Sequence, residues 1–182
     1  MTPTRILSRK EVRVSPWVCL VSKEVEFDPG AAPEVYHCLS QPDYIAILAR
    51  TRSGLIPIVQ QYRPAVDTCT WELPAGLLEQ GENPEDACRR ELKEETGLHA
   101  ESVTYLGSYY ADTGRLENRL HAFFVQTDDP DPTFLPEPRV SVKFVTGEKL
   151  RGHIISGEFR HQLHLGLLGV ASLLGLDWAK EM

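Results

Sequence analysis

Residues 76–98 constrain this chain more tightly than any other stretch. Glu91, Glu94 and Glu95 fall at spacing i, i+3, i+4, which on a helix stacks three carboxylates on one face. Like charges that close cost a helix roughly 0.2–0.5 kcal/mol per pair, so a helix that gathers three needs a cation in front of them. Oxygen-only ligands on a rigid element suit a hard divalent ion, Mg²⁺ above all. The competing reading is a solvated acidic helix face. The flanks predict where the helix starts and stops. Asn83 suits an N-cap, Pro84 the first helical position, Glu85 and Asp86 the positive helix end, and Gly97 a left-handed C-terminal cap. The helix between them is expected to run about 13 residues. Cys88 and Leu92, four apart, should fasten it to a core, with Arg89 and Lys93 pointing to solvent. Cys88 reads as a small buried hydrophobe rather than a nucleophile.

Length and composition bound the rest. The 182 residues suit one domain plus an extension, with 42% hydrophobic and 25% charged residues as in an ordinary globular protein. No apolar run approaches the ~20 residues that span a bilayer, and Met1-Thr2-Pro3 opens no signal peptide. Cys19, Cys38, Cys69 and Cys88 are widely spaced, so a reduced, cytoplasmic protein without disulfides is expected. A formal charge of −7 argues against nucleic acid as a partner, and it makes a phosphate substrate awkward unless cations shield the site.

Along the chain, residues from about Lys10 to Leu39 read as β-structure with a turn at Asp28-Pro29-Gly30. Two apolar runs, 44–49 and 55–59, flank Ser53-Gly54 and predict a hairpin. Strands are expected at 103–110, 121–126 and 141–145, and helices at 148–155 and 161–174. A loop should fill 127–138, which holds four prolines and three aspartates. His161 and His164 sit three apart on the last helix. No cysteine or further histidine pair accompanies them, so they read as helix-face residues rather than zinc ligands.

The segment matches G-x5-E-x7-R-E-U-x-E-E-x-G-U (U a bulky aliphatic) at Gly76, Glu82, Arg90, Glu91, Leu92, Glu94, Glu95, Gly97 and Leu98. Nine specified positions within 23 residues make the pattern selective, and the chain resembles the Nudix hydrolase family. Gln61-Tyr62-Arg63-Pro64 and Trp71-Glu72-Leu73-Pro74-Ala75-Gly76 are similar to segments of its ADP-ribose pyrophosphatase branch. The resemblance implies an α/β/α sandwich with a mixed central sheet, as residues 42–182, preceded by a small β subdomain, residues 1–41, that forms a homodimer. It implies Mg²⁺-dependent hydrolysis of a nucleoside diphosphate sugar, ADP-ribose first, with Mn²⁺ as a substitute ion. A UDP- or GDP-sugar, or a non-catalytic nucleotide-sensing module, are the alternatives. Metal ligands would be the Ala75 carbonyl, Glu91, Glu94 and Glu95, with Gly76, Glu82, Arg90 and Gly97 shaping the motif. Catalytic carboxylates would be Glu94, Glu95 and Glu137, although the register at Glu137 departs from the family and leaves a plain loop charge open. Substrate contacts would come from Trp17, Arg63, Leu77 and Asp112. Each of three has a rival reading: Arg63 as partner of a core carboxylate, Trp17 as a core or dimer aromatic, and Asp112 as a turn former.

Overall fold

A computed structural model describes residues 4–176, 178 and 179. The chain folds as two units, residues 1–43 with 110–119, and residues 44–109 with 120–182.

The first unit is built on an antiparallel meander of β1 (Arg5–Arg13), β2 (Cys19–Glu26) and β3 (Glu34–Ser40). The β2–β3 connection turns at Gly30, whose φ of +82° only glycine adopts freely and whose N–H donates to the Glu26 carboxylate. Period-two alternation gives the sheet two unlike faces. Val21 and Cys38, opposite one another in the register, are buried. Val12, Leu20 and Leu39 line up across the other face, where Val12 stays 62% exposed. Residues 115–117 join β3 through Leu39 N–H to Arg115 O (2.8 Å) and Glu117 N–H to Leu39 O (3.0 Å). The Glu117 carboxylate is held by Arg9 and Lys23, each at 2.5 Å.

The second unit is a mixed α/β sandwich, the fold class that the order of elements predicts. Its central sheet runs β7 (Ala75–Leu77), β4 (Tyr44–Thr51), β9 (Arg119–Thr127), β8 (Ala100–Tyr110), with β4 parallel to β9 and antiparallel to β7. Strand β4 is buried on both faces, as a central strand covered on two sides must be. Ile45, Ile47 and Ala49 pack with Ala87, Cys88 and Leu92 of α1 (Pro84–Thr96). Ala46 and Leu48 face a second cluster that includes Ile56, Ile58, Trp71, Leu150, Leu167 and Leu168. That cluster joins a three-stranded antiparallel sheet, β10 (Ser141–Val145), β5 (Ile56–Arg63), β6 (Thr68–Glu72), to α2 (Gly147–Ile155) and α3 (Gln162–Leu173).

The hairpin expected around Ser53-Gly54 does not form. The turn is there, closed by Gly54 N–H to Thr51 O at 2.9 Å, but β4 and β5 enter different sheets. Strand β4 and the first half of β5 (Ile56–Val59) are nearly continuous apolar runs, so each gains more by taking a place in a separate layer with the core between them than by pairing side by side. Among the described residues, no helix is long and apolar enough to cross a membrane.

Candidate active site

Helix α1 forms between the residues its sequence predicts. The Asn83 side chain accepts from Glu85 N–H at 2.8 Å, Pro84 opens the helix, and Gly97 closes it at φ +74° with its N–H on Lys93 O at 2.9 Å. The Phe134 ring lies where a side chain at Gly97 would stand, so the cap glycine serves both conformation and packing. Cys88 and Leu92 are fully buried, and burial pushes the Cys88 thiol up to about 12, which removes it as a nucleophile. Arg89 and Lys93 are exposed; Arg89 pairs with Glu85 at 2.8 Å.

The three carboxylates are not equivalent. Glu91 is half-buried, Glu94 is exposed, and Glu95 is 8% exposed. An i, i+4 pair shares a face, and that face turns toward β7, whereas Glu94 sits to its side. Glu95 accepts the Ala75 N–H at 3.0 Å, and Glu91 lies against the bare Cα of Gly76, in the space a Cβ would fill. Arg90 organises the surround. It donates to both Glu82 oxygens (2.9 and 3.0 Å), to Glu91 (2.7 Å), to Glu94 (3.1 Å) and to the Leu77 carbonyl (3.3 Å). Glu82 in turn accepts the Glu79 N–H, so the loop from Leu77 to Glu82 is pinned to the helix. The Arg90 and Glu79 bonds hold Glu82 below the ordinary carboxylate range, in keeping with a structural anion.

Glu91 and Glu95 are pushed the other way. Burial raises both, Glu95 to about 8, and Glu91's proximity adds to the effect at Glu95. Two acidic groups held together away from water keep their charges only beside a cation, and their all-oxygen set, with the Ala75 carbonyl on the adjoining strand, suits a hard divalent ion. The residues therefore fit the metal that the motif implies.

The other expected site residues fall in three places. Arg63 and Leu77 line a cavity of about 240 Å³ with Tyr44, Glu72, Ala75, Gly76, His161 and His164. Arg63 forks onto Glu72, Nε to Oε1 at 2.9 Å and Nη2 to Oε2 at 2.6 Å, and Glu72 is 1% exposed. Arg63 thus has the core-carboxylate partner that was its rival reading. Its Nη1 takes no part in that fork. Trp17 belongs to the first unit, in the β1–β2 turn, 61% exposed, where Ser15 Oγ accepts its N–H. Asp112, in the same unit, accepts the Gly114 N–H at 2.7 Å in an Asx turn. Glu137 lies exposed in the 127–140 loop, where its carbonyl accepts the Val140 N–H at 3.1 Å.

Sequence reasoning missed Glu72, His161 and His164. His161 is only partly exposed and His164 does not reach a solvent face. His164 is 2% exposed and its Nδ1 accepts the Leu73 N–H at 3.0 Å. The signal for Glu72 was its place next to Ala75-Gly76; nothing in the sequence ties it to α3, about 90 residues on.

A loop–helix–loop with two inward carboxylates, set beside a mixed sheet in an α/β sandwich, defines a metal-site scaffold of the Nudix type. Residues 40–163 match the NUDIX domain, and the chain belongs to that family. It is 31% identical over 122 residues to the ADP-ribose pyrophosphatase of Bacillus subtilis, covering 67% of this chain and 65% of that protein. It is 37% identical over 95 residues to the methanol dehydrogenase activator of Bacillus methanolicus, covering 52% and 51%. The mouse ADP-sugar pyrophosphatase is 34% identical over 97 residues, covering 52% and 44%. The chain thus spans from under half to about two thirds of the length of these curated relatives. The crystal structure of an ADP compounds hydrolase superposes with a TM-score of 0.81 over 99% of this chain and 98% of that one, at 19% identity, and so shares the fold.

Proposed function

We propose that this protein is a Mg²⁺-dependent pyrophosphohydrolase that cleaves the diphosphate bridge of a nucleoside diphosphate sugar, with ADP-ribose as the first substrate to test. The observation that carries the reading is the convergence of Glu91 and Glu95, two carboxylates largely held out of water, on Ala75 and Gly76, which line a cavity together with Arg63. The activities for which the Bacillus subtilis and mouse relatives are named support the substrate class.

Glu91, Glu95 and the Ala75 carbonyl would hold the ion, with Glu94 as a further ligand reaching in from the exposed side. A bound divalent ion supplies charge neutralisation at the diphosphate and lowers the pKa of attacking water. The chain's own residues do the rest. Arg63, its plane fixed by Glu72, has Nη1 left to donate to a phosphate oxygen. Leu77 forms part of the apolar wall; the family resemblance adds Asp112 as a substrate contact and Trp17 as an aromatic that would stack on the base of a nucleotide held by the other subunit. Glu137, or Glu94 or Glu95 of the motif, takes the water's proton. With ADP-ribose the products are AMP and ribose 5-phosphate.

We also propose a homodimer formed through the first unit, whose sheet leaves Val12, Leu20 and Leu39 as an apolar row. Phosphate release, coupled through a phosphatase, across ADP-, UDP- and GDP-sugars with and without Mg²⁺ tests the function. Turnover of ADP-ribose only with the ion supports it. Failure to hydrolyse any of the panel would leave a nucleotide-binding module instead.

A further inference from the structure

The cavity wall beside Ala75 and Gly76 carries more ligating chemistry than a phosphate clamp requires. Glu72 ends β6, His161 stands at the N-cap of α3, and His164 lies in its first turn. One ligating atom from each of the three falls within 4.8 Å of the other two. His161 Nε2 is 4.0 Å from Glu72 Oε2, and the two imidazoles stack with centroids 3.9 Å apart. His161 does nothing for its helix: it makes no side-chain capping bond, and its Nδ1 is buried without a hydrogen-bond partner. A buried nitrogen left so is costly unless something else takes it up. Burial lowers both histidines, His164 to about 3, so both are neutral at physiological pH, the state in which imidazole ligates.

We propose that Glu72, His161 and His164 form a site for one borderline transition-metal ion of the Zn²⁺ class, separate from the carboxylate site on α1. Two imidazoles and one carboxylate make the donor set of open zinc centres, and Mg²⁺ disfavours it because it seeks oxygen ligands. His161, about a third exposed at its side chain, gives an ion in the cavity a way in.

Three groups hold the site closed when no ion is bound. Arg63 occupies both oxygens of Glu72, the Thr70 hydroxyl donates to Glu72 Oε1, and the Leu73 N–H occupies His164 Nδ1. An incoming dication must take Glu72 from Arg63 and is repelled by the guanidinium while it does so. Arg63 and the metal therefore compete for one carboxylate. Binding releases the guanidinium from the orientation that Glu72 gives it, so the site is a place where zinc would interfere with whatever anion Arg63 clamps.

The test is Zn²⁺ binding to the full chain, measured by competition with a chromophoric chelator in excess Mg²⁺, and repeated in Glu91→Gln/Glu95→Gln to remove the helix site. One equivalent is expected in both. His161→Ala should lose it while keeping the thermal midpoint, and Arg63→Gln should bind about tenfold tighter, the scale on which groups touching a ligand tune metal affinity. Co²⁺ should give visible bands of a low-coordinate, imidazole-bearing site that vanish in His161→Ala. Zinc binding that survives His161→Ala, or that is absent once the helix carboxylates are removed, overturns the site. Equal affinity in Arg63→Gln overturns the competition. These readouts do not involve hydrolysis, so they stand apart from the proposed activity.

Discussion

Gly76 and Glu91 share one volume: the carboxylate of Glu91 lies where a side chain at position 76 would have to go. The first glycine of the motif is therefore not a hinge. It is an absence that lets a helix carboxylate reach the strand. Gly76→Ala should drive Glu91 out of place and lower Mg²⁺-dependent turnover on the order of 10²-fold, the effect of displacing an electrostatic group from its working position. The fold should survive, because Glu91 can swing outward. Turnover close to that of the parent chain would show that Glu91 is not a ligand.

Glu95→Gln removes a buried charge but keeps the shape and an oxygen for the Ala75 N–H. Stability should hold or rise, since the charged form is disfavoured by burial. Turnover should fall on the order of 10²–10³-fold. Thermal unfolding and steady-state kinetics on one preparation separate the two effects.

Arg63→Ala should do two kinds of damage. It strands the Glu72 carboxylate, 1% exposed, at a cost of about 1–3 kcal/mol, and it lowers kcat/KM by loss of a phosphate contact. Adding Glu72→Gln should restore most of the stability and none of the kinetics. Recovery of both would make Arg63 structural alone.

Arg9 at Glu117 gives the first unit an acid-sensitive joint. The Arg9 hydrogen bond, helped by Lys23, outweighs burial and holds the Glu117 carboxyl at about 2 against an ordinary 4.5. A depressed carboxylate contributes stability above its unfolded value and loses it as pH falls through the folded one. The stability gap between parent and Glu117→Gln should be constant above about pH 5 and close as pH falls from 4.5 toward 2. Denaturant midpoints across that range measure it.

If the first unit pairs two copies, Val12→Glu should shift the mass seen by light scattering from dimer to monomer without unfolding the chain, because Val12 is mostly exposed and outside the buried core. A parent chain that is already monomeric and fully active would refute the dimer.

Helix α1 was legible because its determinants are local. The Asn83 and Gly97 caps, the Cys88/Leu92 face and the carboxylate spacing all act within a few residues. Most strand and helix spans of the second unit followed from short-range periodicity for the same reason; the short strands β6 and β7 carry no such signal and fall outside the expected spans. What the chain's order could not tell is which layer each strand joins, since β4 and β5 have the same apolar pattern whether they pair or face one another across a core. Nor could it tell that two carboxylates of the three turn inward while Glu94 stays exposed, because burial depends on what packs over the helix. The gathering of Arg63 and Glu72 with His161 and His164 is decided only when α3 closes against β6. Caps and periodicity act between near neighbours and can be read in order; the meeting of residues some 90 positions apart is set by the packing of a shared core.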